Sequence, residues 1–173
     1  NNELSVARAA IVNKNNIVSF DFDSDCSENN DILELFEKAV LCSNVTGEDA
    51  EKLMGDPMDV SIIEKAKSFH RGMVMKANRM KRIMEIPFDS EKKYMAVLVE
   101  SPRDNKREII AKGASEEIVA FCDLNEISRQ NIKKMSLEMS REGLKVIALA
   151  VKEINSKSFS TLSNLKFIGL LGF

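Results

Sequence analysis

Tryptophan is absent from the 173 residues, tyrosine and histidine occur once each, and proline and cysteine occur three times each. Each shortage excludes a class of chemistry. Cys26, Cys42 and Cys122 are odd in number and far apart, which argues against a disulfide framework or a zinc knuckle and fits a reducing setting. A metal centre or a His-based triad would have to be built around His70 alone. That residue follows Phe69 at a predicted helix end, where a capping or solvated role is expected. The seven glycines are scattered and form no Gly-x-x-x-x-Gly-Lys-Ser/Thr, Gly-x-Gly-x-x-Gly or Gly-x-Ser-x-Gly. A phosphate cradle or nucleophile elbow of the usual kind is thereby excluded. The net charge is only −2, and without a basic excess nothing points to nucleic acid. The basic stretch Lys76 to Arg82 reads as a solvated face. No apolar run approaches the roughly 20 residues of a membrane helix. Asn1-Asn2-Glu3-Leu4 has neither a basic nor an apolar signal-peptide region. The chain lacks an initiator Met and is expected to be a fragment of a longer one.

What is present is apolar content of 44%, enough to supply one core at this length, so a single domain over residues 1–173 is expected. Leu4 to Val12 and Ile17 to Phe22 read as a hairpin around the Asn-rich turn Asn13-Lys14-Asn15-Asn16. A polar loop over Asp23 to Asn29 precedes apolar residues at helical spacing from Ile32 to Leu41, with Asn30 or Asp31 as the cap. Ser43 to Glu51 reads as a polar connection. Asp56 and Pro57 are a helix-start pair, because proline's missing N–H is no loss at the first helical position. That helix should run to about Phe69. Strands are predicted over Lys81 to Ile86, Tyr94 to Glu100 and Arg107 to Ala111, with a turn at Ser101 to Asn105. Helices follow over Ala114 to Cys122 and Glu126 to Glu142, the second ended by Gly143 as a left-handed cap. Leu144 to Val151 and Leu165 to Phe173 close the chain as strands around the polar loop Ser156 to Asn164. Mixed strands and helices around a central hairpin predict an α+β fold: a twisted, mainly antiparallel β-sheet flanked by helices.

Two segments carry chemistry. Pro87-Phe88-Asp89-Ser90-Glu91-Lys92-Lys93-Tyr94-Met95 offers an aromatic face and then a lysine just before a strand. Lys112-Gly113-Ala114-Ser115-Glu116-Glu117 offers a lysine at a strand end, followed by a glycine that permits close backbone approach. An aromatic plate beside two ammonium groups suits a flat base carrying phosphates. With no phosphate loop, such a site would hold the base and leave the phosphates largely free. That suits a module presenting the γ-phosphate to another domain.

On these residues the chain resembles the nucleotide-binding domain of the P-type cation-transporting ATPases. Asn2-Glu3-Leu4-Ser5-Val6 resembles the stretch after the family's phosphorylation motif, Asp-Lys-Thr-Gly-Thr-Leu-Thr. Ala39-Val40-Leu41-Cys42-Ser43-Asn44 resembles its first helix, and Gly55-Asp56-Pro57-Met58-Asp59 its Gly-Asp-Pro-x-Glu. Pro87 through Met95 is similar to the adenine-pocket segment, and Lys112-Gly113-Ala114-Ser115-Glu116 to Lys-Gly-Ala-Pro-Glu. Gly143 through Ala150 resembles Gly-Leu-Arg-x-Leu-Ala-Leu-Ala. Phe167 through Gly172 resembles the strand that re-enters the phosphorylation domain. The segments keep the family's order across essentially the whole chain.

The resemblance implies the following roles. Phe88 stacks on adenine, a contact worth roughly 1–3 kcal/mol. Lys93 and Lys112 line the pocket, with Gly113 beside them. Asp59 stands where a family Glu meets the adenine amino group, and pairing with its own helix dipole is a rival role. Lys145 replaces a phosphate-reaching Arg, keeping the charge without the bidentate fork. Ser90 stands where some calcium pumps have Arg, and Ser115 replaces proline. No catalytic residue and no metal ligand is expected in this chain. The methionines read as core and surface filling. His70 precedes Arg71 rather than proline, which disfavours the heavy-metal branch.

The implied function is to bind ATP, as Mg-ATP in the intact pump, and deliver its γ-phosphate to an Asp on the adjacent domain, driving ion transport. The implied partners are ATP and the phosphorylation and actuator domains of the same parent chain. A monomer on the cytoplasmic face of a membrane is expected, with no direct membrane contact by this segment and no hydrolysis by it alone. The rival is a non-catalytic regulatory or scaffold domain of the same fold with a degenerate pocket; Phe88, Lys93 and Lys112 together argue against it. A free-standing kinase fails for want of a phosphate loop and an acidic metal cluster. Some segments resemble proton pumps and others calcium or magnesium pumps, so the ion is left open.

Overall fold

A computed structural model describes residues 3–22, 28–47 and 53–173. The chain opens with β1 (Arg8–Asn13) and β2 (Asn16–Asp21), then α1 (Asn30–Leu41) and a short ribbon of β3 (Val45–Thr46) and β4 (Met54–Gly55). Next come α2 (Pro57–Phe69), α3 (Arg71–Arg79), β5 (Lys81–Asp89), β6 (Tyr94–Glu100) and β7 (Arg107–Gly113). The chain closes with α4 (Ser115–Ala120), α5 (Glu126–Arg141), β8 (Val146–Ile154) and β9 (Lys166–Gly172). One sheet of seven strands in the order β2-β1-β9-β8-β7-β6-β5 organises the fold, and all its neighbours pair antiparallel.

Alternation along the strands sends side chains to two different layers. On β8, Ile147, Leu149 and Val151 join Val97, Val99 and Ile110 under α1, α2 and α3. Ala148 and Ala150 face the other way with Ala10, Ala96 and Ala111, where α4 and α5 supply Ile118, Ile132 and Met139. The alanines make a shallow floor, so those two helices can pack with bulky side chains. Helices of this chain thus cover both sheet faces, which is why β6 and β8 read as continuous apolar runs despite their antiparallel setting. The α+β class and the antiparallel sheet match the sequence reading.

Several boundaries differ from expectation for local reasons. β1 begins at Arg8 rather than Leu4. In the hairpin turn the left-handed residue is Lys14, at φ +58°, and not an asparagine. Helix α1 is capped by Asn29, whose side-chain oxygen accepts from the N–H groups of Asp31 and Ile32, rather than by Asn30 or Asp31. Asp56, Pro57 and Phe69 bound α2 as predicted. His70 ends α2 and starts α3 through its backbone, with no side-chain cap bond. Helix α3 and the β3–β4 ribbon were not anticipated. Gly143 closes α5 at φ +86°. The expected entry stretch at Asn2, most of the loop after Phe22 with Cys26, and the connection from Glu48 to Glu51 lie outside the described residues.

Candidate functional site

At one end of the sheet β5, β6, β7 and β8 present their ends beside the start of α2. There a cleft of about 460 Å³ is lined by Phe88, Lys93, Lys112, Gly113, Asp59 and Lys145, together with Asn44 and Asp56. Its remaining wall is largely apolar: Met58, Met95, Ala114, Val146 and Ile147. This volume falls within the roughly 300–1,000 Å³ of small-molecule sites. Every residue singled out as a binding candidate in the sequence borders this one cleft.

Phe88 lies on β5, the edge strand of the sheet, where a proline such as Pro87 can be tolerated because its missing N–H faces no partner. The pairing with β6 slips between Ile86 and Asp89, so Phe88 is released from the regular ladder. Phe88 is 62% exposed, comparable to Ile127 at 61%, but unlike Ile127 it borders the cleft.

Lys93 is set by a tight turn. The Asp89 carboxylate accepts from the N–H groups of Glu91 at 2.8 Å and Lys92 at 3.1 Å. These bonds, that of Lys92 foremost, hold the Asp89 carboxyl below its ordinary pKa. The Lys93 N–H donates to the Asp89 carbonyl at 2.6 Å, and the Lys93 carbonyl accepts from Ala114 at 2.9 Å. Pinned on both sides, Lys93 adopts φ +61°, a left-handed conformation that costs a non-glycine residue roughly 1–2 kcal/mol. Gly113 explains the lock: a Cβ there would sit 2.3 Å from the Lys93 carbonyl oxygen and 2.6 Å from Tyr94 Cα. The close approach it permits is therefore between strands, in addition to whatever the cleft admits.

Lys112 and Asp59 are both 7% exposed and form a buried ion pair across the floor of the cleft. Asp59 sits in the first turn of α2, where the helix dipole favours a carboxylate. Its second oxygen accepts from the Asn44 N–H at 2.9 Å. Both carboxylate oxygens thus have partners within the protein. Nearby, the buried Cys42 thiol donates to the Ile110 carbonyl at 3.6 Å. Burial pushes its pKa up to about 11, with Lys112 and Arg82 pulling it back, so it stays a thiol and is no nucleophile at neutral pH.

Lys145 is exposed at the rim of the cleft. Its backbone is held by paired bonds with Phe173, at 3.0 Å and 2.9 Å, where β8 and β9 converge. Neither Lys93 nor Lys145 makes an ion pair among the described residues, so the lip carries two solvated ammonium groups. Ser90 lies on the Asp89–Lys93 turn, and Ser115 takes the first helical position of α4. Two residues not singled out from sequence belong to the site's frame. Asn44 lines the cleft, and Arg82 braces it: the guanidinium donates to Asn44 Oδ1 at 2.6 Å and to the Leu41 and Ser43 carbonyls at 2.9 and 3.2 Å. Among the described residues no cluster of His, Cys, Asp and Glu could hold a metal ion, and no helix is long and apolar enough to cross a membrane.

Comparison with known proteins gives a consistent picture. Residues 31–173 match the family described as P-type ATPase, cytoplasmic domain N. The chain is 26% identical to calcium-transporting ATPase 1 of Saccharomyces cerevisiae, over 92% of this chain and 19% of that protein. It is 29% identical to calcium-transporting ATPase 1 of Bacillus cereus, over 89% of this chain and 19% of that protein. A sodium/potassium exporting P-type ATPase of Schizosaccharomyces pombe is 32% identical over 81% of this chain and 15% of its own length. The chain therefore spans less than a fifth of the length of these relatives.

Proposed function

The chain belongs to the family of P-type ATPase cytoplasmic N domains, and from that membership we propose that it is the ATP-binding domain of a membrane cation pump. Adenine stacks on Phe88, inside the cleft walled by Met95, Val146 and Ile147. Lys112 meets the base edge or the proximal phosphates, and Lys93 and Lys145 meet phosphate oxygens as point charges. Asp59 acts chiefly by holding Lys112, with a contact to the base amine as its second task. The γ-phosphate is left outside this grip and passes to an Asp of the adjacent phosphorylation domain of the parent chain. The donor set fits this ligand: an aromatic face, an apolar wall and three ammonium groups around one cleft. Magnesium accompanies the phosphates, and no residue of this chain is assigned to it. Phosphoryl transfer therefore requires the neighbouring domain, and residues 1–173 do not hydrolyse ATP alone. The relatives' names cite calcium and sodium or potassium, so the transported ion is not assigned.

The single observation that supports this reading best is the 62% exposed Phe88 ring standing at a cleft shared with Lys93, Lys112 and Lys145. An ATP titration followed by amide NMR tests it. Saturable shifts are expected around Phe88, Lys93, Lys112 and Lys145, with a Kd on the order of 0.1–5 mM, or about 3–5 kcal/mol. No saturable shift up to about 10 mM, well past that range, would remove the proposal and favour a degenerate pocket.

A further inference from the structure

We infer that Arg82 is a positioning residue for nucleotide binding, acting on Lys112 through Asn44 and Asp59; the inference rests on the nucleotide reading above. Arg82 does not line the cleft. It lies on β5, where the pairing with β6 slips between Arg82 and Met84, and such a slip re-aims side chains. The guanidinium reaches the C-terminal end of α1 and the segment just beyond it. One nitrogen donates to the Leu41 and Ser43 carbonyls, and the other to Asn44 Oδ1 and, more weakly at 3.4 Å, to Glu85.

Asn44 is therefore held twice, by its side chain at Arg82 and by its backbone N–H at Asp59 Oδ2. Asp59 in turn grips Lys112 with its other oxygen. The route from Arg82 to the cleft floor is thus a continuous run of hydrogen bonds. Its last links are charge-assisted, and both Asp59 and Lys112 are 7% exposed. A fork that binds four acceptors at once is something lysine cannot reproduce. Without it the Asn44 side chain loses its one bond among the described residues, leaving Cys42 to tie the segment to β7; Asp59 then loses a fixed donor, and the Lys112 ammonium is no longer held at one place. The bland alternative is a helix cap: Arg82 satisfies orphan carbonyls of α1 and does nothing for the ligand.

A double-mutant cycle separates the two. ATP affinity of the 173-residue chain is measured by amide NMR for Arg82→Ala, Arg82→Lys, Asp59→Asn and the combinations. Melting temperatures are recorded in parallel, and each titration is run where the variant is folded. Both Arg82 variants are expected to weaken ATP binding by about threefold to tenfold in the wild-type background, and by less than about twofold in the Asp59→Asn background, where the run is already cut. Affinity unchanged in Arg82→Lys would overturn the inference, because charge alone would then suffice. Equal losses in both backgrounds would also overturn it, since Arg82 would not be acting through Asp59. Should Arg82→Ala not fold, the Arg82→Lys cycle decides alone. Wild type that fails to bind ATP overturns the nucleotide reading and this inference together, whereas wild type that binds while Arg82 variants bind equally well overturns this inference only.

Discussion

Replacing Phe88 separates a ligand platform from a core residue. The ring is 62% exposed and sits where the β5–β6 ladder is interrupted, so little of its surface is removed from water by folding. Truncation to alanine should then behave as a surface change, within about 0.5–1 kcal/mol. For a domain of this size that corresponds to a fall in melting temperature of no more than roughly 2–4 °C. Binding should suffer far more. Base–aromatic stacking worth roughly 1–3 kcal/mol corresponds to a Kd weakened about 5- to 150-fold. A series sharpens the test. Phe88→Tyr and Phe88→Trp keep a π face and should hold ATP about as well as wild type. Phe88→Leu keeps apolar bulk without the face and should fall most of the way to alanine. The assay is the ATP titration by amide NMR, with thermal unfolding alongside. A folded Phe88→Ala variant binding ATP within about twofold of wild type would refute the stacking argument. So would a Phe88→Leu variant indistinguishable from wild type.

The turn and the strand ends supply further tests. Lys93→Gly and Lys93→Ala both remove the ammonium and should weaken ATP binding equally. Only glycine relieves the left-handed backbone, so it should be the more stable of the two by about 0.5–1 kcal/mol after its own entropy cost; equal stabilities would deny the strain. Gly113→Ala drives a Cβ into the Lys93 carbonyl and the Tyr94 backbone, which cannot swing aside. It should cost at least about 1–3 kcal/mol in thermal unfolding and disturb both flanking lysines, and a wild-type melting curve would contradict that. Asp89 supplies a pH dependence. The N–H groups of Lys92 and Glu91 depress its folded pKa below the unfolded value, so its contribution is complete above the usual carboxylate pKa and is lost as pH falls through the lower folded value. A carboxyl-carbon NMR titration should find Asp89 titrating below the ordinary aspartate value. Asp89→Asn should flatten the acid limb of stability, and an ordinary Asp89 midpoint would count against the turn as described.

The sheet was legible because its signals are local. β6 and the apolar part of β8 are runs of strand length, Asp56-Pro57 announces α2, and Gly143 announces the end of α5. Helix α3 escaped because His70 gives it no capping side chain and Gly72 sits in its first turn. Its inward residues Met73, Val74, Ala77 and Met80 do follow helical spacing. The β3–β4 ribbon is two residues per strand, too short for any periodicity. In the site, Phe88, Lys93 and Lys112 were marked by residue type beside strand ends, whereas Asp59 and Lys145 came only through family resemblance. Arg82 and Asn44 carried no signal at all. Their bonds join positions 38 to 41 residues apart, and a lysine- and arginine-rich stretch reads as solvated until its partners are seen. The buried pair of Asp59 and Lys112 is the same kind of case: each looks like an ordinary surface charge until the fold brings the other beside it.

That pair also bears on why the proposed grip should be weak. A lysine waiting unpaired in a buried cleft would bind an anionic ligand strongly but would destabilise the empty domain. Here Asp59 already satisfies Lys112, so a nucleotide gains at that position only the difference between two partners. Lys93 and Lys145 are exposed, and solvent-facing charge pairs contribute about 0–1 kcal/mol each. Added to roughly 1–3 kcal/mol from the Phe88 stack, the gross gain reaches about 5 kcal/mol at most, which is the millimolar to submillimolar range. A nanomolar Kd, near −12 kcal/mol, would have no source among these groups. On the proposed reading, weak binding follows from the side chains that make the cleft stable when empty, and it would let the domain release what remains of its ligand once the phosphate has been handed on.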